Sequence, residues 1–585
     1  MPTASSSASS FPSAFRSQPH FLRANRFFPS LRPFASRPKS ESRVASSSSP
    51  ADATAVVLSP DVALGEDWPE DYDDWLPEAD PKDRRRAGVL LHPTSLRGAY
   101  GIGDLGEEAL HFIDWLHSCG SSLWQVLPLV PPTSKGIIGG SPYSGEDANC
   151  GNTLLISLEE LVKDGLLMKD ELPAAVDVDR VDFAAVAGLK RPLIAKAAKR
   201  LIQSSGDLKS ELEYFLRDPD VLSWLEDAAY FAAIDHKLDT LSWYDWPDPL
   251  KNRHPVAMED IRHSEKEFID TFMAEQFLFQ KQWQKVHDYA LQKGISIMGD
   301  MAIYVDYHSA DVWAYKDQFL LNKNGSPILV SGVPPDAFSG TGQLWNSPLY
   351  NWTAMEKDGF LWWIRRLKRA QSLFDEFRID HFRGFSGFWA VPAGAKVATF
   401  GRWKVGPRKS LFDAIFEALG DIHIIAEDLG VITKDVVQLR KSISAPGMAV
   451  LHFAFGDGAE SPHLPHNHER NQVVYTGTHD NDTTRGWWDS MKDDEKSNAC
   501  LYLSLKADED DISWILIRTA LSSVAKTAII PMQDILGLDS SARMNLPSTV
   551  SVDNWSWRIP SSISFDGLET EAVKFKEMLS IYGRS

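Results

Sequence analysis

Residues 373–384 read LFDEFRIDHFRG, an apolar run that ends in charge. Along a strand, residues i and i+2 share a face, so Arg378 and Asp380 point together while Ile379 turns the other way. The same pattern, a short apolar run followed by a loop and a helical stretch, repeats from residue 86 onward. The other runs are AGVLLHP (87–93), SLWQVLPL (122–129), ISIMGDMAIYV (295–305), DIHIIAEDLG (421–430), MAVLHFAFG (448–456), NQVVYTGTHD (471–480) and KTAIIPMQDIL (526–536). Helix candidates such as EEALHFIDWLHSCG and KSLFDAIFEALG lie between them. Strands alternating with helices imply parallel pairing through right-handed crossovers, and eight such units predict an α/β fold closed as a (β/α)8 TIM barrel.

The gap between the second and third runs is too long for one crossover. Residues 158–290 carry helical patterns such as LKRPLIAKAAKRLIQ and EKEFIDTFMAEQFLFQKQWQKVHDYALQKG, read as a mainly helical insertion that walls a cleft. GIGDLG (101–106) fits a dinucleotide fingerprint and precedes a helix. Such a motif must directly follow its strand, and an acid for the ribose must close the next one. Here TSLRGAY intervenes and SLWQVLPLVPP has no acid, which excludes a nucleotide site.

The chain has 585 residues, 60 Lys plus Arg against 80 Asp plus Glu, and a formal charge of −20. A net-acidic chain without a long basic stripe has no electrostatic reason to bind nucleic acid. The three cysteines, Cys119, Cys150 and Cys500, are widely spaced and odd in number, as for free thiols in a reducing compartment. The apolar runs are strand-length, so no membrane span is expected. The 20 tryptophans offer flat faces of the kind that stack on sugar rings, a weak hint of carbohydrate.

Residues 1–50 hold fifteen serines, seven basic residues and one acid, Glu41. A Ser- and Arg-rich, acid-poor leader without an apolar core has the composition of an organelle transit peptide, plastid rather than mitochondrial by its serine content. The expected organisation is a disordered transit peptide over 1–52, an acidic linker or N-terminal wrap over 53–85, and a catalytic barrel over 86–585. An active-site loop is expected at about 330–352.

Active sites of such barrels form at the C-terminal ends of the strands. Carboxylates stand at four of those ends: Asp300, Asp380, Glu427 and Asp480. Ionised groups are not placed there for packing, because each is costly to desolvate unpaired. Arg378 beside Asp380 favours a charged carboxylate, as a nucleophile needs. Glu427, sharing the cleft with other anions, has its pKa driven upward, as a general acid needs. That pairing is the working core of a retaining glycosidase or transglycosidase. Asp480, after His479, is placed to hydrogen-bond sugar hydroxyls. No H-E-x-x-H, Cys/His cluster or calcium-loop spacing supports a metal at these positions.

FRIDHFRG, IIAEDLG (424–430), YTGTHDNDT (475–483), GDMAIYVDYHSADVW (299–313), SGVPPDAFSGTGQLWNSPLYNW (331–352) and SARMN (541–545) together resemble the 4-α-glucanotransferases, the amylomaltase or disproportionating-enzyme family of the α-amylase clan (glycoside hydrolase family 77). The resemblance covers about residues 86–560, and the leader with SPYSGEDANCGNTLL (141–155) is similar to the plant plastid type. It implies Asp380 as nucleophile, Glu427 as general acid/base and Asp480 as stabilising aspartate. Asp300, Arg378, His479, Tyr143, Ser141, Trp345, Gln343 and Asn545 are implied to bind substrate. It implies no cofactor, malto-oligosaccharide and α-glucan donors and acceptors, and a chloroplast or amyloplast stromal enzyme of starch and maltodextrin metabolism. Departures from the family pattern stand at Ala99, Ala302, Ala337, Gly340, Asn346 and His452. An α-1,4-glucan hydrolase with the same carboxylates is the alternative, a catalytically silent glucan-binding protein a third reading. Oligomeric state is left open.

Overall fold

The computed structural model describes residues 84–132, 140–239, 241–335, 340–505 and 511–585. The leader, all but the last two residues of the acidic linker, and Ala337 lie outside them.

Each of the eight apolar runs holds one barrel strand: β1 (Arg86–Leu90), β2 (Leu123–Gln125), β3 (Ser296–Met301), β6 (Glu376–Ile379), β9 (Ile424–Ala426), β10 (Gly447–Val450), β11 (Gln472–Tyr475) and β12 (Thr527–Pro531). They pair in parallel in chain order, and β12 returns to pair with β1. Their residues are almost all buried, which is why the sequence shows continuous apolar runs rather than alternation. Between β9 and β10 the closure is irregular. Ala426 donates its N–H to the Pro446 carbonyl at 2.9 Å, and the Met448 N–H goes to Asp428 Oδ1 at 2.7 Å. A carboxylate thus stands in for a missing rung at the seam.

Underneath, Arg584 fastens the junction of the first and last strands. Its guanidinium is 1% exposed and donates to the carbonyls of Leu521, Ser523, Ala525, Lys526 and Arg86. It satisfies the end of the helix Ile512–Ser522 and the backbone entering β12 and β1 together.

Between β2 and β3 the chain forms helices that include Phe183–Gln203, Pro219–Lys237 and Lys266–Gln292. The last of these runs back to β3 and buries Phe277, Trp283 and Val286. GIGDLG proves to be a docking joint. Asp104 receives the Nζ of Lys190, from the helix Phe183–Gln203, at 3.3 Å, and burial pushes both groups toward neutrality. Gly103 is obligatory, since a Cβ there would lie 2.0 Å from the Pro93 carbonyl oxygen.

A second sheet, absent from the sequence reading, stands above the barrel. It is antiparallel, in the order β5 (Gln343–Pro348), β4 (Leu329–Val333), β7 (Gly387–Pro392), β8 (Arg402–Val405). The stretch read as a loop at about 330–352 therefore carries two paired strands, with a register irregularity between Val330 and Gly332. The tryptophan excess is mainly packing: Trp124, Trp243, Trp283, Trp313 and Trp363 are fully buried. No helix among the described residues is long and apolar enough to cross a membrane.

Candidate active site

The register of β3 against β6 sets Asp300 beside Arg378. Arg378 is 5% exposed and bonds two carboxylates, Nη1 to Asp300 Oδ2 and Nη2 to Asp380 Oδ1, each at 2.6 Å. Tyr143 donates its hydroxyl to the same Asp300 oxygen at 2.8 Å. Burial and the Asp300 charge raise the Tyr143 pKa well above its ordinary value, so it stays a donor. The other oxygen, Asp300 Oδ1, is buried without a hydrogen-bond partner among the described residues.

Asp380 is held by its N–H to the Met301 carbonyl, and His381 then turns into the left-handed region at φ 51°. That turn aims the His381 N–H at Glu427 Oε2, 2.7 Å away, while the Leu429 N–H reaches Oε1 at 2.8 Å. The two catalytic candidates thus sit at the ends of adjacent strands, coupled through one residue.

Their protonation separates for stated reasons. Burial, then the Asp380 charge, pushes Glu427 up to about 8 against the pull of Arg378 and the Leu429 N–H. Arg378 pulls Asp380 toward its charged form, as its place on the strand suggests, but it does not act by itself. Burial outweighs the guanidinium, with Asp300 and Asp480 adding like charge, so Asp380 also rises from its ordinary value. Unlike Glu427, Asp380 bonds a cation directly, and 32% of its side chain is open to solvent, two features that favour its charged form.

Across the cleft, His479 Nε2 lies 3.5 Å from Asp480 Oδ2, and Asn545 Nδ2 donates to Asp480 Oδ1 at 2.6 Å. Tyr143 stacks on the His479 ring at 5.3 Å and so joins the two halves of the site. On β5, Trp345 meets His381 edge-to-face at 4.8 Å and donates Nε1 to Gln343 Oε1 at 3.2 Å. Ser141 is in the Tyr143 loop, where its Oγ accepts the Tyr143 N–H at 3.3 Å. The structure therefore brings Asp300, Arg378, Asp380, Glu427, His479, Asp480, Tyr143, Asn545 and Trp345 into one linked group, with Gln343 and Ser141 each attached to a member.

Sequence reasoning missed several contributors. Arg543 donates to the Asp480 carbonyl and the Asn545 carbonyl, each at 2.7 Å, and fixes the loop; it stands inside SARMN, where its charge was a usable signal. Trp555, at φ 64°, packs against Tyr143 and His479. The N–H groups of His381 and Leu429 leave no trace in side-chain identity. Of the departures, Asn346 occupies φ 63°, a conformation asparagine tolerates better than most residues. His452 stacks on Trp487 at 4.6 Å and bonds Thr484 at 3.0 Å.

A 4-alpha-glucanotransferase family model matches residues 91–564. The chain is 69% identical over 522 residues to the "4-alpha-glucanotransferase, chloroplastic/amyloplastic" of Solanum tuberosum, covering 89% of this chain and 90% of that one. It is 42% identical over 487 residues to the 4-alpha-glucanotransferase of Thermus thermophilus, covering 82% and 96%. Among solved structures, the amylomaltase of Streptococcus agalactiae in complex with acarbose superposes with a TM-score of 0.80 at 35% identity, over 86% of this chain and 100% of that one.

Proposed function

The chain belongs to the 4-alpha-glucanotransferase family, glycoside hydrolase family 77, and we propose that Asp380, Glu427 and Asp480 carry its transfer of α-1,4-glucan segments between malto-oligosaccharides. The observation that carries this reading is the pair at the ends of β6 and β9: a carboxylate bonded to Arg378 at 2.6 Å, beside a carboxyl pushed up to about 8.

Asp380 attacks the anomeric carbon of the donor glucose as Glu427 gives its proton to the departing glycosidic oxygen. The bond to the leaving chain breaks and a glucosyl–Asp380 ester forms. Glu427, now a carboxylate, takes the proton from the 4-hydroxyl of an acceptor glucan, whose oxygen displaces Asp380. Two inversions restore the α configuration. Arg378 neutralises the carboxylate that leaves in the second step. Asp480, oriented by Asn545 and Arg543, and Asp300, through its buried Oδ1, are placed to accept hydrogen bonds from the hydroxyls of the distorted ring. Tyr143 and Trp345 supply apolar faces on either side.

The relatives named chloroplastic/amyloplastic, together with the serine-rich leader composition, support a plastid stromal enzyme of starch and maltodextrin metabolism. Incubation with maltotriose decides the acceptor. Glucose with maltopentaose and longer chains is expected; maltose and glucose, with nothing longer than the substrate, would mean that water takes the glucan. The Asp380→Asn variant should give neither.

A further inference from the structure

The open edge of the upper sheet carries aromatic surface that the catalytic group does not use. Strand β8 is exposed along its whole length, with Trp403 43% exposed and Phe400, just before it, 69% exposed. Trp403 is nonetheless held in place. Its ring meets Trp389 edge-to-face at 5.1 Å, and the Arg383 guanidinium lies 3.9 Å from its centre. Arg383 is fixed in turn by the carbonyls of Gly387 and Val431. A ring clamped in this way has little rotational entropy left to lose when a ligand stacks on its free surface.

The position ties this edge to the catalytic cleft. Arg383 follows Asp380 by three residues, which span at most about 11 Å of chain. The opposite edge of the same sheet, β5, carries Trp345 and Gln343. Three strand spacings, about 14 Å, separate the two edges. Trp389 and Trp403 are register partners on β7 and β8, so their rings share one face of the sheet.

We propose that Trp403, with Phe400, forms a stacking platform for the α-1,4-glucan outside the catalytic cleft, reached only by chains longer than the shortest substrates. This rests on the glucan-transfer reading above. A glucan fits better than a second copy of the chain. Two exposed rings cannot supply the roughly 600–800 Å² per partner that a stable protein interface buries, whereas a sugar chain needs one flat ring face per residue.

The test compares Trp403→Ala, Phe400→Ala and Trp403→Tyr with the unaltered enzyme, using maltotriose and a linear amylose as alternative donors. The ratio of amylose to maltotriose kcat/KM is expected to fall about two- to tenfold in the two alanine variants and to recover in Trp403→Tyr. An unchanged ratio overturns the platform. So does an equal loss on both donors with a lowered Tm, which would mark Trp403 as structural, or a change of mass in light scattering, which would make the edge a contact between copies. If the unaltered enzyme left maltotriose untouched, the transfer reading would fail instead. Retardation in amylose-containing gels would then decide the platform alone: retarded enzyme with unretarded Trp403→Ala supports it, and equal mobility refutes it.

Discussion

Glu427→Gln tests whether the site holds its proton donor at the expense of stability. In the folded protein burial and Asp380 push the Glu427 carboxyl up to about 8; in an unfolded chain it titrates near ~4.3. A group whose folded pKa is raised gives a stability contribution that is fully present below the unfolded value and is lost as pH rises through the folded one. At ~1.36 kcal/mol per pH unit, the loss amounts to about 1 kcal/mol at pH 5 and approaches about 5 kcal/mol above pH 8. Glutamine does not titrate and escapes this loss. It accepts through one oxygen only, so either the His381 or the Leu429 N–H loses its partner, at about 1–3 kcal/mol. Glu427→Gln is therefore expected to be no more stable than the parent at pH 5 and more stable at pH 8–9. With an unfolding entropy of about 1 kcal/mol/K for roughly 500 ordered residues, the Tm difference should climb by about 4 °C across that range. Calorimetry at one scan rate reads it directly. A difference that stays flat or shrinks with rising pH would refute the burial argument, whatever happens to activity.

The other expectations follow from the same contacts. In the unaltered enzyme, kcat/KM for maltotriose should fall about tenfold between pH 7 and pH 9, as Glu427 loses the proton it must donate; a profile flat to pH 9 would remove Glu427 from that role. Asn545→Ala frees Asp480 Oδ1 and should cost about 10–100-fold in kcat/KM with little change in Tm. Lys190→Met leaves Asp104 buried without its cation and should destabilise by about 3–5 kcal/mol, much of it restored when Asp104→Asn is added. Asn346→Val, forcing a β-branched residue to φ 63°, should cost about 1–2 kcal/mol, whereas Asn346→Gly should be close to neutral; both are read by denaturant unfolding.

The barrel was legible because its strands are buried on both faces, so each appears as an apolar run whatever its tertiary partners. The upper sheet was not. RWKV (402–405) is exposed at every position, and QLWNSP (343–348) mixes proline, asparagine and exposed positions, so neither shows the burial pattern that marks a strand. Charged strand ends revealed Asp300, Arg378, Asp380, Glu427 and Asp480 for the same reason that they are costly there. Peptide N–H groups and the torsion at His381, which set the Glu427 geometry, depend on tertiary folding and leave no residue-level signature. The direction of the Asp380 shift was missed because the sequence shows the neighbouring guanidinium but not the depth of burial that overrides it.

The seam fastened by Arg584 has a consequence in time. Strand β1 pairs with β12, whose Thr527 lies 441 positions downstream of Arg86, and the Arg584 clamp comes 498 positions after it. Pairing so distant in sequence is slow to form, so the first strand waits for its partner while more local contacts form first. Throughout that interval one edge of β1 presents unpaired N–H and C=O groups, the surface on which strands of neighbouring chains assemble. The chain thus keeps an aggregation-prone edge until the last element of its fold is in place, and refolding yield should depend on what shields that edge until then.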